Sequence, residues 1–307
     1  MVVLFVNHKQ ENCGVYQLFK RLTAPVILAH DTYFYIETNE EWEHDYWVEQ
    51  LKPDIVVYNF YFSGSTMPWL TNEKVAQQRG RFKQLCLFHE GNIDDKGFDL
   101  ILHQNPVNID TRYFNLPRPI PEYLPRNQTH MKNVIPVIGT FGFGLGGKGF
   151  TRVVETVNAE FDQAIIRMNI PYAHFGDADG TGARWWANAS KALAKPGIEV
   201  IVTHDMLPER RLLDFLANND INAFLYDDNI GRGISGTLDY ALAVHKPIAI
   251  TKSWQFQHMW NDVMIIEPDN GLKDIMAAGT AHLDKYHKKW NTQSLIQAFN
   301  QAFERVR

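Results

Sequence analysis

The chain has 307 residues, 45% of them hydrophobic, enough for two domains of ordinary size with an apolar core in each. Thirty basic against 35 acidic side chains leave a net charge of −5, so no global attraction to nucleic acid or to an anionic bilayer is expected. The two cysteines, Cys13 and Cys86, exclude a disulfide framework and the common zinc ribbons; the apolar opening MVVLFVN is too short for a signal-peptide core, and no stretch approaches about 18 apolar residues, so a cytoplasmic protein without a membrane span is expected.

Residues 2–6 form an apolar run that ends in a polar segment reaching Gly14, after which Val15, Tyr16, Leu18, Phe19 and Leu22 recur at helical spacing. A buried strand, a glycine turn and a helix are the opening of a Rossmann-like domain. Strand-like pieces follow at 26–28, 55–58, 84–88 and 100–103, with a helix over 40–51 that ends at Lys52-Pro53-Asp54. Such alternation predicts a parallel sheet covered by helices on both faces. The loop at 59–69 is rich in aromatic and hydroxyl side chains, which suit a sugar acceptor or, equally, a packed domain wall. Cys86-Leu87-Phe88 then runs into His89-Glu90, placing both side chains at the carboxyl end of a strand, where open α/β sheets bind ligands. His89 is the first candidate for a catalytic residue and Glu90 the second; a hydrogen-bonded structural histidine is the alternative. Five prolines between Pro106 and Pro125 and a polar stretch over 127–132 read as a linker. The expected domains are therefore 1–130 and 131–285, with 286–307 a C-terminal helix whose apolar stripe carries Trp290, Leu295, Ile296, Phe299 and Phe303.

The second half repeats the pattern. Residues 134–140 form a fresh apolar run, followed by a loop with five glycines and Lys148, then a helical stretch over 151–161. The glycines let the backbone pass close to a ligand and Lys148 supplies a mobile charge, but Gly149 after the lysine rules out a Walker A motif. After a strand at 164–168 comes a loop holding His174 and Asp177-Ala178-Asp179, a triplet that formally fits a metal-binding D-x-D, although chance produces it often and no metal is expected. A strand at 197–203, a helix starting at Pro208 and a strand at 221–226 lead to Asp227-Asp228. Residues 227–250 then read as a loop of small residues, a helix with Asp239 in its first turns, and a buried strand after Lys246-Pro247. Backbone N–H groups and a positive helix end would there face an anion, although any strand-loop-helix unit carries Gly and Ser at its turn.

The stretch GISGTLDYALAVHKPIAIT resembles the nucleotide-sugar-binding segment of GT-B glycosyltransferases, in particular the retaining family 4-like group. Leu238-Asp239-Tyr240-Ala241-Leu242-Ala243 and Lys246-Pro247-Ile248-Ala249 match its second half, with Asp239 on the second acid of the family's E-x7-E pair and Gly231 where the first acid would stand. Lys148-Gly149 is similar to the end of the family's diphosphate loop, with Phe143 in the place of its Arg. Cys13-Gly14-Val15-Tyr16 resembles its first loop. The resemblance implies an α/β protein of two Rossmann-like domains facing each other across a cleft, with the last helix crossing back onto the first. It implies transfer of a sugar from a nucleotide-diphosphate sugar to an acceptor hydroxyl, retaining and metal-independent, with no cofactor beyond that substrate. By the same resemblance Gly14, Lys148, Arg232, Ser235 and Gly236 would hold the diphosphate, Asp239 the ribose, and Asp228, Asn229 and Gly233 the sugar, with His89 near the transferred group. The acceptor implied is a saccharide or glycoconjugate; a modified DNA base is less expected, because residues 1–130 carry 12 basic and 16 acidic side chains. A nucleotide-sugar epimerase or hydrolase of the same fold, or a non-catalytic nucleotide-sugar or glycan-binding protein, are the other readings.

Overall fold

A computed structural model describes residues 1–60, 66–90, 97–125, 133–173 and 175–307. The middle of the aromatic loop, the polar part of the linker and His174 lie outside the described residues. The chain divides into two compact units, one of Met1–Pro119, Gly231–Ile234 and Lys288–Arg307, the other of Ile120–Ile230 and Ser235–His287.

The first unit runs β1 (Val3–Asn7), α1 (Gly14–Leu28), β2 (Tyr33–Glu37), α2 (Glu41–Leu51), β3 (Ile55–Phe60), α3 (Asn72–Gln77), β4 (Lys83–Phe88), β5 (Leu100–His103) and β6 (Tyr113–Asn115). Its strands pair in the order β2-β1-β3-β4-β5-β6, all parallel. Alternate side chains leave opposite faces of a strand, and here both faces are buried. Val3, Phe5, Val57, Leu85 and Leu87 pack on one side with Leu18, Phe19 and Leu22 of α1, while Leu4, Val6, Val56, Tyr58 and Cys86 pack on the other with Val48 of α2 and Val75 of α3. The piece at 26–28, expected as a strand, is instead the last turn of α1, which continues through Pro25 and buries Val26 in the core. The strand of that βα unit is β2, whose mixed aromatic sequence YFYIE lacks a clean alternation.

In the second unit the order is β7 (Val137–Phe141), α4 (Phe150–Glu160), β8 (Ala164–Asn169), α5 (Thr181–Leu193), β9 (Ile198–Thr203), α6 (Glu209–Ala217), β10 (Ile221–Phe224), α7 (Thr237–Ala243), β11 (Ile248–Ile250), α8 (Leu272–Ala278) and α9 (Asp284–Lys289). These strands form a parallel sheet in the order β11-β10-β7-β8-β9. Ile138, Ile166, Ala223 and Ala249 face α4, α5 and α8 through Val153, Val157, Ala183, Leu272 and Ile275. Phe141 meets Phe224 and Tyr240 edge-on at 5.7 and 5.9 Å.

The last helix, α10 (Thr292–Val306), belongs to the first unit and packs on its sheet, with Phe299 and Phe303 5.9 and 6.2 Å from the ring of Phe5. Asn291 caps it by accepting the Ser294 N–H at 2.8 Å. No helix among the described residues is long and apolar enough to cross a membrane.

Candidate functional site

In the second unit β8 and β9 are added on one side of β7, and β10 and β11 on the other, so the strand order reverses between β7 and β10. Open α/β sheets bind ligands outside the carboxyl ends of the strands at such a reversal. The glycine-rich segment 142–149 leaves β7 there, and residues 225–236 leave β10. The two are locked to each other. Asp227 N–H donates to Gly147 O at 3.0 Å. Gly149 has φ 66°, and a Cβ built on it would lie 1.9 Å from Leu225 O, so only glycine allows this approach. From the first turn of α4, Arg152 donates to Leu225 O and Tyr226 O at 3.2 and 3.1 Å and pairs with Asp227 at 2.6 Å. Ser253 Oγ donates to Asp227 O at 2.9 Å.

Lys148 stands above this floor, its Nζ 4.2 Å from the ring centroid of Tyr226. Tyr226 is buried, with Phe256 against it at 4.6 Å. Among the described residues Lys148 makes no ion pair. Asp227 is taken by Arg152, and Asp228 Oδ1 accepts the Trp254 N–H at 2.8 Å. A cation held on a π face and not by a carboxylate keeps its charge available to an incoming anion. Asn229 lies over the same loop, its Nδ2 2.7 Å from where a Cβ on Gly147 would be.

The structure places three further sets of residues of this half as follows. Asp239, expected at the ribose, is fully buried, and its carboxylate offers no surface to a ligand in this structure; it is one methylene shorter than the glutamate of the family segment. The Ser235 amide, expected to face phosphate, donates to Gln255 O at 3.0 Å, and Gly236 caps a helix of only seven residues. The D-x-D carboxylates hold the start of α5: Asp177 accepts the amides of Gly182 and Ala183 at 2.7 and 2.9 Å, and Asp179 accepts the Thr181 amide and hydroxyl at 3.1 and 2.7 Å.

In the first unit the strand order reverses between β1 and β3. Buried amides occupy that point. Asn59 Nδ2 donates to Asn7 Oδ1 at 2.6 Å, and Asn7 Nδ2 donates to Tyr35 Oη at 2.8 Å. Tyr35 and Tyr16 both donate to Glu37 Oε1, at 3.0 and 2.6 Å. Burial first, with Glu37 beside them, raises both phenol pKa values. His89 joins this network through Nε2, 2.6 Å from Asn59 Oδ1. Since that oxygen only accepts, the bond assigns the proton to Nε2. Burial, with smaller contributions from His8, Arg118 and His103, lowers the pKa of His89 to about 3. His89 is therefore neutral at neutral pH, and Nε2 does not serve as a base. Gly14 is the first residue of α1, after a Cys13 cap without a side-chain bond.

Glu90 follows, and here the structure joins residues distant in sequence. Glu90 Oε2 accepts the Gly233 N–H at 3.0 Å and pairs with Arg232 Nε at 3.2 Å. Gly233 lies on the backbone of His89, where a Cβ would come within 2.4 Å of His89 O. Gln104 Nε2 donates to that same carbonyl at 3.0 Å, and buried Arg118 donates to Gln104 O at 3.0 Å. Arg232 and Gly233 are thus grouped with His89, Glu90 and Gly14 in the first unit, and Lys148, Asp228, Asn229, Ser235, Gly236 and Asp239 lie in the second. Arg232, expected on the diphosphate, has Glu90 as its partner. Sequence reasoning passes over Asn7, reads Asn59 only as the start of the loop at 59–69, and passes over Tyr226. The signal was a polar side chain ending an apolar run at the first two positions and an aromatic preceding the Asp pair at the third.

No protein-family model matches the sequence, and no curated protein does either. The fold is similar to several solved structures. One is Anabaena Alr3699/HepE in complex with UDP and glucose, 11% identical with a TM-score of 0.65, the match covering 99% of each chain. Another is a glycosyltransferase from Rickettsia africae ESF-5, 16% identical with a TM-score of 0.57, covering 99% of this chain and 93% of that one. A third is an alpha-glucosyltransferase in complex with UDP and a 13-mer DNA containing a central A:G mismatch, 12% identical with a TM-score of 0.58, covering 99% of each. Two parallel sheets flanked by helices, matched over almost the whole length of these proteins, give the chain the GT-B glycosyltransferase fold.

Proposed function

We propose that the chain transfers a sugar from a nucleoside-diphosphate sugar to an acceptor hydroxyl. The observation that carries this reading is Lys148, a cation without a carboxylate partner among the described residues, held on the glycine-rich loop at the strand reversal of the second sheet. A diphosphate is the anion such a loop suits, because its oxygens can take both the ammonium and close backbone approach. That HepE is described with UDP and glucose, and the alpha-glucosyltransferase with UDP, supports a uridine donor among the candidates.

In the transfer, the bond from the anomeric carbon to the diphosphate breaks as the bond to the acceptor oxygen forms. Lys148 stabilises the charge that grows on the departing diphosphate, the large electrostatic contribution in such a step. We propose a retaining course in which the leaving phosphate oxygen takes the acceptor proton, so no side-chain base is assigned. His89, neutral and fixed by Asn59, and Glu90, paired with Arg232, then orient groups and do not shuttle protons. Metal independence is supported by Asp177 and Asp179 being engaged at the start of α5. The acceptor proposed is a saccharide or glycoconjugate. The acidic balance of residues 1–130 favours it over DNA, although one structural neighbour is described with DNA.

Calorimetric titration with UDP-, GDP-, ADP- and dTDP-sugars, with and without EDTA, tests the reading. One nucleotide-sugar is expected to bind in the presence of EDTA, and Lys148→Ala to weaken it tenfold or more, on the order of one charge-assisted hydrogen bond. Failure of all four donors to bind would overturn the proposal. Turnover of the bound donor without any acceptor would favour an epimerase or hydrolase.

A further inference from the structure

We propose that Tyr226 is a positioning residue: its ring face, not a carboxylate, sets the place of the Lys148 ammonium that meets a diphosphate. The proposal rests on the reading that a nucleoside diphosphate binds at the glycine-rich loop. Tyr226 is buried, so the role assigned to it is to position Lys148, not to take part in catalysis.

The ring is a fixed platform. Its backbone carbonyl is held by Arg152 Nη1 at 3.1 Å and by the Thr251 hydroxyl, and its side chain is packed against Phe256 at 4.6 Å. The hydroxyl reaches Gly142, the first glycine of the loop, where a Cβ would stand 3.4 Å from Oη. That hydroxyl is buried and finds no hydrogen-bond partner among the described residues. What Tyr226 does provide is a face 4.2 Å from Nζ of the loop's only lysine.

A lysine side chain has four rotatable bonds and loses much freedom when its end is confined. The negative face of an aromatic ring confines the ammonium with modest attraction, whereas a buried carboxylate would also neutralise it. The arrangement therefore orders the charge before the ligand arrives and leaves it available to the anion. Both nearby acids are directed elsewhere, Asp227 to Arg152 and Asp228 to the Trp254 amide.

The test is calorimetry on the full chain with UDP and inorganic pyrophosphate as probes. Tyr226→Leu is expected to weaken both about threefold to thirtyfold, the range of a cation–π contact. Tyr226→Phe is expected to stay within about twofold of the parent, as the ring is kept. In a Lys148→Ala background Tyr226→Leu is expected to change nothing further, because the contact it removes is already gone. Equal weakening by Tyr226→Leu in both backgrounds would overturn the proposal, as would a loss with Tyr226→Phe as large as that with Tyr226→Leu. Should Tyr226→Leu not fold, phenylalanines bearing one to four fluorines at position 226 keep the shape and progressively drain the ring face of negative charge. Affinity falling with each fluorine is expected, and a flat series would refute the role of the ring. Absence of UDP and pyrophosphate binding by the parent protein would overturn the underlying reading as well. Parent binding that weakens with Lys148→Ala but ignores the fluorines would overturn the positioning role alone.

Discussion

Gly146 and Gly149 of the loop that carries Lys148, with Gly231 of the segment after β10, separate what conformation and what contact contribute. Gly146 has no heavy atom within 4 Å of a built Cβ and no left-handed φ, so Gly146→Ala is expected to be neutral or to stabilise by about 0.5–1 kcal/mol through the unfolded chain. Gly231 also has open space around its Cβ but φ 86°, so Gly231→Ala exposes the backbone strain alone, about 1–2 kcal/mol. Gly149 combines φ 66° with a Cβ that would lie 1.9 Å from Leu225 O and 2.6 Å from Leu225 C. Those are backbone atoms pinned by Arg152, so no flexible side chain can give way. Adding about 1–3 kcal/mol for overpacking puts Gly149→Ala at about 2–5 kcal/mol. Urea unfolding of the full chain, followed by tryptophan fluorescence, reads the order of the three variants from their midpoints and slopes. A Gly149→Ala protein as stable as Gly146→Ala would refute the argued contact between the loop and the strand end beneath it.

His89, with the half-buried His103, should contribute most among the histidines of the first unit to acid stability. His89 is lowered to about 3 and His103 to about 4, in each case chiefly by burial, against an ordinary value of 6.5. Between pH 6.5 and those values the unfolded chain binds protons that the folded chain does not, so stability is full above pH 6.5 and falls with acidification, by up to about 1.4 kcal/mol per pH unit for each histidine. His89→Asn, whose amide can still donate to Asn59, is expected to flatten the fall between pH 6 and 4; an unchanged slope in urea titrations would count against the assignment. Asp177→Ala removes the acceptor for two amides of α5 and is expected to lower stability by about 1–2 kcal/mol. Retained stability in Asp177→Ala together with loss of donor binding in EDTA would return the carboxylate to a metal role.

Much of the architecture could be read along the chain because buried parallel strands are apolar on both faces and helices are not. The runs at Ile55, Leu85, Ile138, Ile166 and Ile248 announce themselves in this way. Two strands escaped for the same reason. Tyr33–Glu37 and Tyr113–Asn115 are the edge strands of their sheet and only half-buried, so neither carries a continuous apolar run. Residues 26–28 misled because Pro25 is read as a helix breaker, yet α1 carries it and buries Val26. At the site, the glycines and Lys148 were visible because close backbone approach and a free cation each demand a particular residue type. Tyr226 was not visible, since nothing local distinguishes an aromatic that packs a core from one that also holds a charge.

By itself the sequence determined that alternating strands and helices build two parallel sheets, and that the β7–α4 turn is a glycine-rich loop with one lysine, because these follow from local periodicity and backbone sterics. Tertiary structure alone decided which acids are free. Asp239 became a buried side chain, Asp177 and Asp179 helix caps, and Glu90 the partner of Arg232, a residue 142 positions away. A carboxylate's role depends on the donors and the solvent that surround it, and those are supplied by chain segments far apart in sequence.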